Sequence, residues 1–155
     1  MRVADWKGPA WRDAPAAPPL VLFTGLGMNL EMIEPVVRAL PHARVISFDA
    51  PGIGKSPDAL LPYTIPGLAL TTGLLLDRLG VDTIDLAGFS WGGALAQQFA
   101  VQNRARVRKL VLAATSAGAA MLPGSRLVRF SGGGHLFMLT RRSEFVAALR
   151  EFLDS

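Results

Sequence analysis

The chain has 155 residues, half of them hydrophobic, a net charge of +4 and no cysteine. That length supplies one domain around one core, and the lack of cysteine excludes a disulfide framework and thiolate chemistry. No apolar run reaches the length of a membrane-spanning helix, and the first seven residues lack the apolar segment of a secretory signal, so a cytoplasmic setting is expected. The basic residues gather at Arg104, Arg106, Arg108 and Lys109, then at Arg126, Arg129, Arg141, Arg142 and Arg150. They read as solvated helix ends and loops. No aromatic platform interleaves with them, so nucleic acid is not an expected partner.

In chain order, residues 1–7 read as an edge strand and residues 8–19, rich in proline and alanine, as a loop. Residues 20–24 form a short apolar strand that ends in Gly25-Leu26-Gly27. Residues 30–40 carry apolar side chains at helical spacing (Met32, Ile33, Val36, Val37, Leu40), with Asn29 as N-cap. Residues 45–48 are a strand ending at Asp49. Residues 66–79 are helical and close on Gly80. Residues 83–87 are a buried strand, and residues 94–100 a helix with Leu95 and Phe99 on one face. Residues 108–113 and 126–130 read as strands, and residues 143–153 as a helix capped by Ser143. Strands alternating with helices predict an α/β fold with a mostly parallel sheet flanked by helices, whose function lies beyond the carboxyl ends of the strands.

Between the strand at 83–87 and its helix stands Gly88-Phe-Ser-Trp-Gly92. Gly-x-Ser-x-Gly at a strand-to-helix turn is the pattern of a nucleophile elbow. The serine takes a strained backbone, side chains two residues either way would collide, and the helix N-terminus favours developing negative charge beside Ser90. The competing interpretation is a glycine-rich connection of any α/β fold.

Two other glycine patterns fail their own requirements. Gly52-Ile-Gly-Lys-Ser56 lacks the first glycine of a phosphate-binding loop, because that position is Asp49, and Pro57 follows where a helix should run. Gly25-Leu26-Gly27 lacks the third glycine of a dinucleotide fingerprint, because that position is Leu30. No cofactor and no metal are expected.

A serine needs a base to become a nucleophile at neutral pH. The chain has two histidines. His42 lies between a helix and a strand start, at the rim opposite Ser90. His135 follows Gly132-Gly-Gly134 at a carboxyl end, and the order serine then histidine suits the elbow; a merely structural loop histidine is the alternative. An oxyanion hole would take the backbone N–H of Trp91, directly after the nucleophile, and that of Leu26, whose flanking glycines allow close approach.

These stretches resemble an α/β-hydrolase, and more closely the intracellular poly(3-hydroxyalkanoate) depolymerases. The resemblance is carried by residues 23–31, 48–54, 90–100, 110–118 and 134–137, with Ser-Trp-Gly-Gly-Ala-Leu-Ala-Gln-Gln-Phe-Ala and Ala-Ala-Thr-Ser-Ala-Gly the most specific. It implies hydrolysis of a small or polymeric ester through an acyl-enzyme, with Ser90 as nucleophile and His135 as base. One departure matters. The family's cap domain and the strand bearing the triad acid are absent between Gly118 and Arg126. The chain therefore reads as one truncated core domain, residues 1–155.

No aspartate or glutamate lies between Asp85 and Glu144. The fold's other acid position holds Thr115 and Ser116, Asp49 reads as a structural loop residue, and the triad acid is unassigned. Two functions follow: a serine ester hydrolase, or a capless remnant that binds apolar esters or partners without efficient turnover, with a cofactor-independent perhydrolase a minor third. The short link after Thr115 would bring residues 126–130 beside residues 108–113 and leave an edge prone to self-association.

Overall fold

A computed structural model describes residues 1–13, 17–115, 128 and 130–155. Among them are five strands and five α-helices, alternating from β2 to β5: β1 (Val3–Lys7), β2 (Leu20–Phe23), α1 (Leu30–Arg38), β3 (Arg44–Phe48), α2 (Ile65–Arg78), β4 (Ile84–Phe89), α3 (Trp91–Gln102), β5 (Val107–Ala113), α4 (Phe137–Thr140) and α5 (Arg142–Asp154). The strands form one sheet in the order β1-β3-β2-β4-β5. All neighbours are parallel except β1, which runs antiparallel on the edge beside β3.

The central strands β2 and β4 are buried along their whole length, as apolar strands covered on both faces must be. Alternate side chains enter opposite cores. Leu20, Leu22, Ala87 and Phe89 join one apolar cluster with Ile33, Val36 and Val37 of α1 and Phe145, Val146 and Leu149 of α5. Val21, Phe23, Ile84 and Leu86 join the other with Leu68, Ala69 and Leu76 of α2 and Leu95, Ala96 and Phe99 of α3. The sheet is thus sandwiched by helix pairs. The chain leaves β2 towards β3, then crosses back to β4, so the strand order reverses between β2 and β4. Ligands in such sheets bind at that reversal, outside the carboxyl ends.

The helix boundaries follow local chemistry. Asn29 Oδ1 accepts from Met32 N at 3.1 Å, the expected cap of α1. Thr64 Oγ1 accepts from Gly67 N at 3.2 Å at the start of α2, and Gly80 takes a φ of 63° just beyond its end. Other expectations are corrected. The helix after the elbow begins at Trp91, not at residue 94. Ser143 does not cap α5: it lies inside the first turn, and Arg141 stands at the cap position without a side-chain capping hydrogen bond. The short helix α4 between His135 and α5 has no counterpart in the sequence reading. Of the strand expected at 126–130, Val128 and Phe130 are described and belong to no strand; residues 126, 127 and 129 lie outside the described residues. Phe130 packs instead on Phe137, with ring centroids 4.8 Å apart.

Among the described residues no helix is long and apolar enough to cross a membrane.

Candidate active site

Phe23, the last residue of β2, pairs with Gly88 in β4, so both strands end at the same level. Two residues beyond Gly88 stands Ser90, with φ 54° and ψ −120°. This is a left-handed backbone on a non-glycine residue, a strained conformation that the surroundings must enforce. They do so by hydrogen bonding and by packing. Ser90 N donates to the carbonyl of Ala113, the last residue of β5, at 2.9 Å, and Gly93 N donates to the Ser90 carbonyl at 2.9 Å. The glycines around it have no space for a side chain. A Cβ on Gly88 would stand 2.3 Å from the Gly92 carbonyl oxygen. One on Gly92 would stand 2.4 Å from the Phe23 carbonyl oxygen, and one on Gly93 would stand 2.3 Å from Thr115 Cγ2. The first turn of α3 therefore lies directly on the end of β2 and against the residues after β5.

Ser90 occupies the N-cap position of α3, yet its side chain makes no capping hydrogen bond. A serine there ordinarily turns its hydroxyl onto the N–H groups of its own helix. Here the hydroxyl points elsewhere: Ser90 Oγ lies 2.8 Å from His135 Nε2. The two residues are 45 apart in the chain, and the fold brings them into hydrogen-bond reach. The His135 ring also lies on Phe89, with centroids 5.4 Å apart. Phe89 is itself buried. Among the described residues, Ser90 Oγ is the one side-chain polar atom within hydrogen-bond distance of His135, and no carboxylate touches the ring.

The loop after β2 closes the other side. Gly25 fits tightly against Phe89, where an added Cβ would be 3.1 Å from the ring, and Gly27 has φ 74°. Met28 N donates to the Gly25 carbonyl at 3.1 Å and Thr24 Oγ1 to the Met28 carbonyl at 3.3 Å, which folds the loop into a turn. Leu26, at its tip, is 79% exposed, and Leu136 is 43% exposed on the His135 side. Trp91, the first residue of α3, is half-buried.

Asp49 is fully buried and its carboxylate is occupied away from His135. Oδ1 accepts from Leu30 N at 2.8 Å; Oδ2 accepts from Lys55 N at 3.0 Å and from Arg2 Nη1 at 3.2 Å. The loop that imitates a phosphate-binding pattern thus wraps an internal carboxylate. Gly54, with φ 58°, leaves no space for a Cβ, which would stand 2.5 Å from Asp49 Oδ2. Thr115, half of the fold's other acid position, packs on Gly93; Ser116 lies outside the described residues. His42 is exposed at the far rim, its Nδ1 3.4 Å from the Ala10 carbonyl. No three metal-ligating side chains group together among the described residues. A surface hollow lined by Glu31, Glu34, Pro35, Arg38, Ala39 and Arg142 lies on α1 and includes neither Ser90 nor His135.

The sequence reading missed residues 137–141, which grip the His135 loop; the apolar Phe-Met-Leu run gave a weak helical signal too short to interpret alone.

Residues 18–123 match the family model described as alpha/beta hydrolase fold. The chain is 51% identical over 111 residues to a poly(3-hydroxyalkanoate) depolymerase of Ectopseudomonas oleovorans, covering 71% of this chain and 39% of the relative. It is 34% identical over 107 residues to a pimeloyl-[acyl-carrier protein] methyl ester esterase of Pseudoalteromonas atlantica, covering 68% of this chain and 40% of the relative. Among solved structures, a hydrolase from Pseudomonas aeruginosa superposes with a TM-score of 0.64 at 34% identity over 74% of this chain and 42% of the other. The chain spans about two fifths of the length of these relatives.

Proposed function

The chain belongs to the α/β-hydrolase fold family, and on that footing we propose that it hydrolyses carboxylic esters through an acyl-enzyme on Ser90, with His135 as general base. The observation that carries this reading is the 2.8 Å contact between Ser90 Oγ and His135 Nε2, made by a serine whose hydroxyl leaves its own helix uncapped. As Oγ attacks the ester carbonyl, its proton passes to Nε2. The oxygen that becomes negative is stabilised by the backbone N–H of Trp91, aided by the N-terminus of α3, and by that of Leu26. His135 then returns the proton to the departing alcohol, and water releases the acid by the reverse use of the same groups. Exposed Leu26 and Leu136 suit an apolar acyl chain, and the depolymerase relative makes a poly(3-hydroxyalkanoate) or its oligomers the first substrates to offer.

His135 meets no carboxylate among the described residues, and this favours slow turnover as the second reading. Without a carboxylate to fix the tautomer and stabilise the imidazolium, turnover falls by about 10⁴ relative to a complete triad. An activated ester should therefore react, whereas an amide, whose departure depends most on proton donation, should be nearly inert. The test is fluorophosphonate labelling together with release of p-nitrophenol from a short-chain ester. Label confined to Ser90 and lost in Ser90→Ala, with the ester activity, is the expected result. Label that survives Ser90→Ala removes the assignment.

A further inference from the structure

His135 sits in a loop that has little reason of its own to hold one shape. Gly132, Gly133 and Gly134 have φ of 82°, 91° and 61°, and residues 131–136 are all exposed. Ordering three consecutive glycines costs more conformational entropy than ordering any other residues, and burial does not offset it here. Apart from the contact with Ser90, the hydrogen bonds to residues 131–135 among the described residues come from a single segment, 137–141. Phe137 N donates to the Gly134 carbonyl at 3.3 Å and Thr140 Oγ1 to the Gly133 carbonyl at 3.1 Å. Arg141 Nη1 donates to the Ser131 carbonyl and, at 3.4 Å, to Ser131 Oγ.

Arg141 makes the most extensive of these ties and is itself held. Its Nε and Nη2 meet Glu144 Oε1 at 2.9 and 2.8 Å in the first turn of α5, and its main-chain N donates to the Phe137 carbonyl at 2.7 Å. Its aliphatic stem lies under Gly133, where an added Cβ would stand 3.1 Å from both Cγ and Cδ. The guanidinium therefore bridges the base of α5 to the far end of the glycine loop, with His135 suspended between that tie and Ser90.

We infer that Arg141 is a positioning residue for His135: with its charge fixed by Glu144, it holds the glycine loop in the shape that keeps Nε2 within reach of Ser90 Oγ. This rests on the ester-hydrolase reading for its kinetic consequence, but the clamp itself is a statement about the loop. It predicts a split between kinetic constants. Arg141 touches neither Ser90 nor the exposed apolar side chains of the site, so its loss should lower kcat and leave KM nearly unchanged.

The experiment compares the parent, Arg141→Ala, Arg141→Lys and Glu144→Gln with one p-nitrophenyl ester, and measures the ¹H–¹⁵N heteronuclear NOE of the Gly132, Gly133 and Gly134 amides. In Arg141→Ala, kcat should fall at least about tenfold, towards the roughly hundredfold cost of a 1 Å misplacement, with KM within about twofold. The three glycine NOEs should drop together. Arg141→Lys should recover part of the loss, because an ammonium still donates to the Ser131 carbonyl but cannot span to Glu144 in the same fork. Glu144→Gln, which leaves the loop contacts in place but frees the guanidinium, should act in the same direction more weakly, and it serves if Arg141→Ala does not fold. Unchanged NOEs, or an unchanged kcat with mobile glycines, overturn the inference; so does a joint loss of kcat, KM and thermal stability that lysine does not recover. A parent that takes no fluorophosphonate removes the ester reading instead, and the NOE result then decides the clamp alone.

Discussion

Gly92 and Asp49 show how single residues set the site without performing chemistry. A Cβ on Gly92 would stand 2.4 and 2.5 Å from the carbonyl oxygens of Phe23 and Thr24, both backbone atoms that cannot rotate away. Gly92→Ala must therefore lift α3 off β2, at a cost near the upper end of overpacking, about 3 kcal/mol, and shift Ser90 with it. Denaturant titration measures the loss, and fluorophosphonate labelling of the folded fraction should slow in parallel; a variant as stable as the parent would contradict this packing. Asp49 makes the opposite case. Its carboxylate receives two backbone N–H groups and the Arg2 guanidinium. Asp49→Asn presents a donor where it needs an acceptor, leaves a buried N–H without a partner and should cost about 1–3 kcal/mol. Labelling of Ser90 in the folded protein should be unchanged, because no bond joins Asp49 to His135. A variant that folds fully but loses labelling would make Asp49 the missing acid after all.

At the scale of elements, α1 is tied to the loop after β3 by charge as well as by packing. Glu31, in the first turn of α1, meets Lys55 Nζ at 3.0 Å and Arg2 Nη1 at 2.8 Å. The hydrogen bond from Lys55, followed by that from Arg2, lowers its carboxyl from the usual 4.5 to about 2. A group whose pKa is lowered on folding stabilises the fold above its unfolded value and loses that contribution as pH falls towards its folded one. The Glu31 contribution is accordingly complete above pH 4.5 and fades between 4.5 and about 2. The pair is exposed, so the effect is small and weakens with salt. Acid titrations of the parent and Glu31→Gln should differ at neutral pH and converge as pH falls through that window; curves that stay parallel would show that the ion pair contributes nothing. At the opposite end of the sheet, buried Asp85 of β4 is held by Arg108 of β5 through bonds of 2.8 and 2.5 Å. This accounts for one member of the basic cluster as a structural partner, and Arg106 is likewise bound to Asp77 at 2.7 Å.

For the molecule as a whole, β5 bonds to β4 on one side, and among the described residues no strand pairs with its other edge. Near the start of β5, Lys109 and Arg108 bond to the carbonyls of Phe152 and Leu153 at the end of α5. The carboxyl half of β5, from Leu110 to Ala113, carries no charge to repel another strand. Concentration-dependent association is the expected outcome, read by light scattering, and a strictly monomeric species at high concentration would refute it. Much of this architecture was legible in the chain. The apolar strands, the caps Asn29 and Gly80, and the elbow at Ser90 depend on neighbours a few residues away, so period, capping chemistry and glycine spacing specify them locally. Gly-x-Ser-x-Gly also announced the serine's strained backbone, because only glycines fit where α3 meets β2. Where the Asp49 carboxylate finds its partners, and which residues bond to the loop before His135, are visible only in the tertiary structure. Asp49 is consumed by the first N–H of α1, by Lys55 N of its own loop and by Arg2, α5 starts at Arg142 so that Ser143 lies inside its first turn, and Arg141 bonds to Ser131 at the far end of the glycine loop that carries His135. Those outcomes depend on groups distant in sequence competing for the same few donors and acceptors, and only the closed fold decides which of them meet.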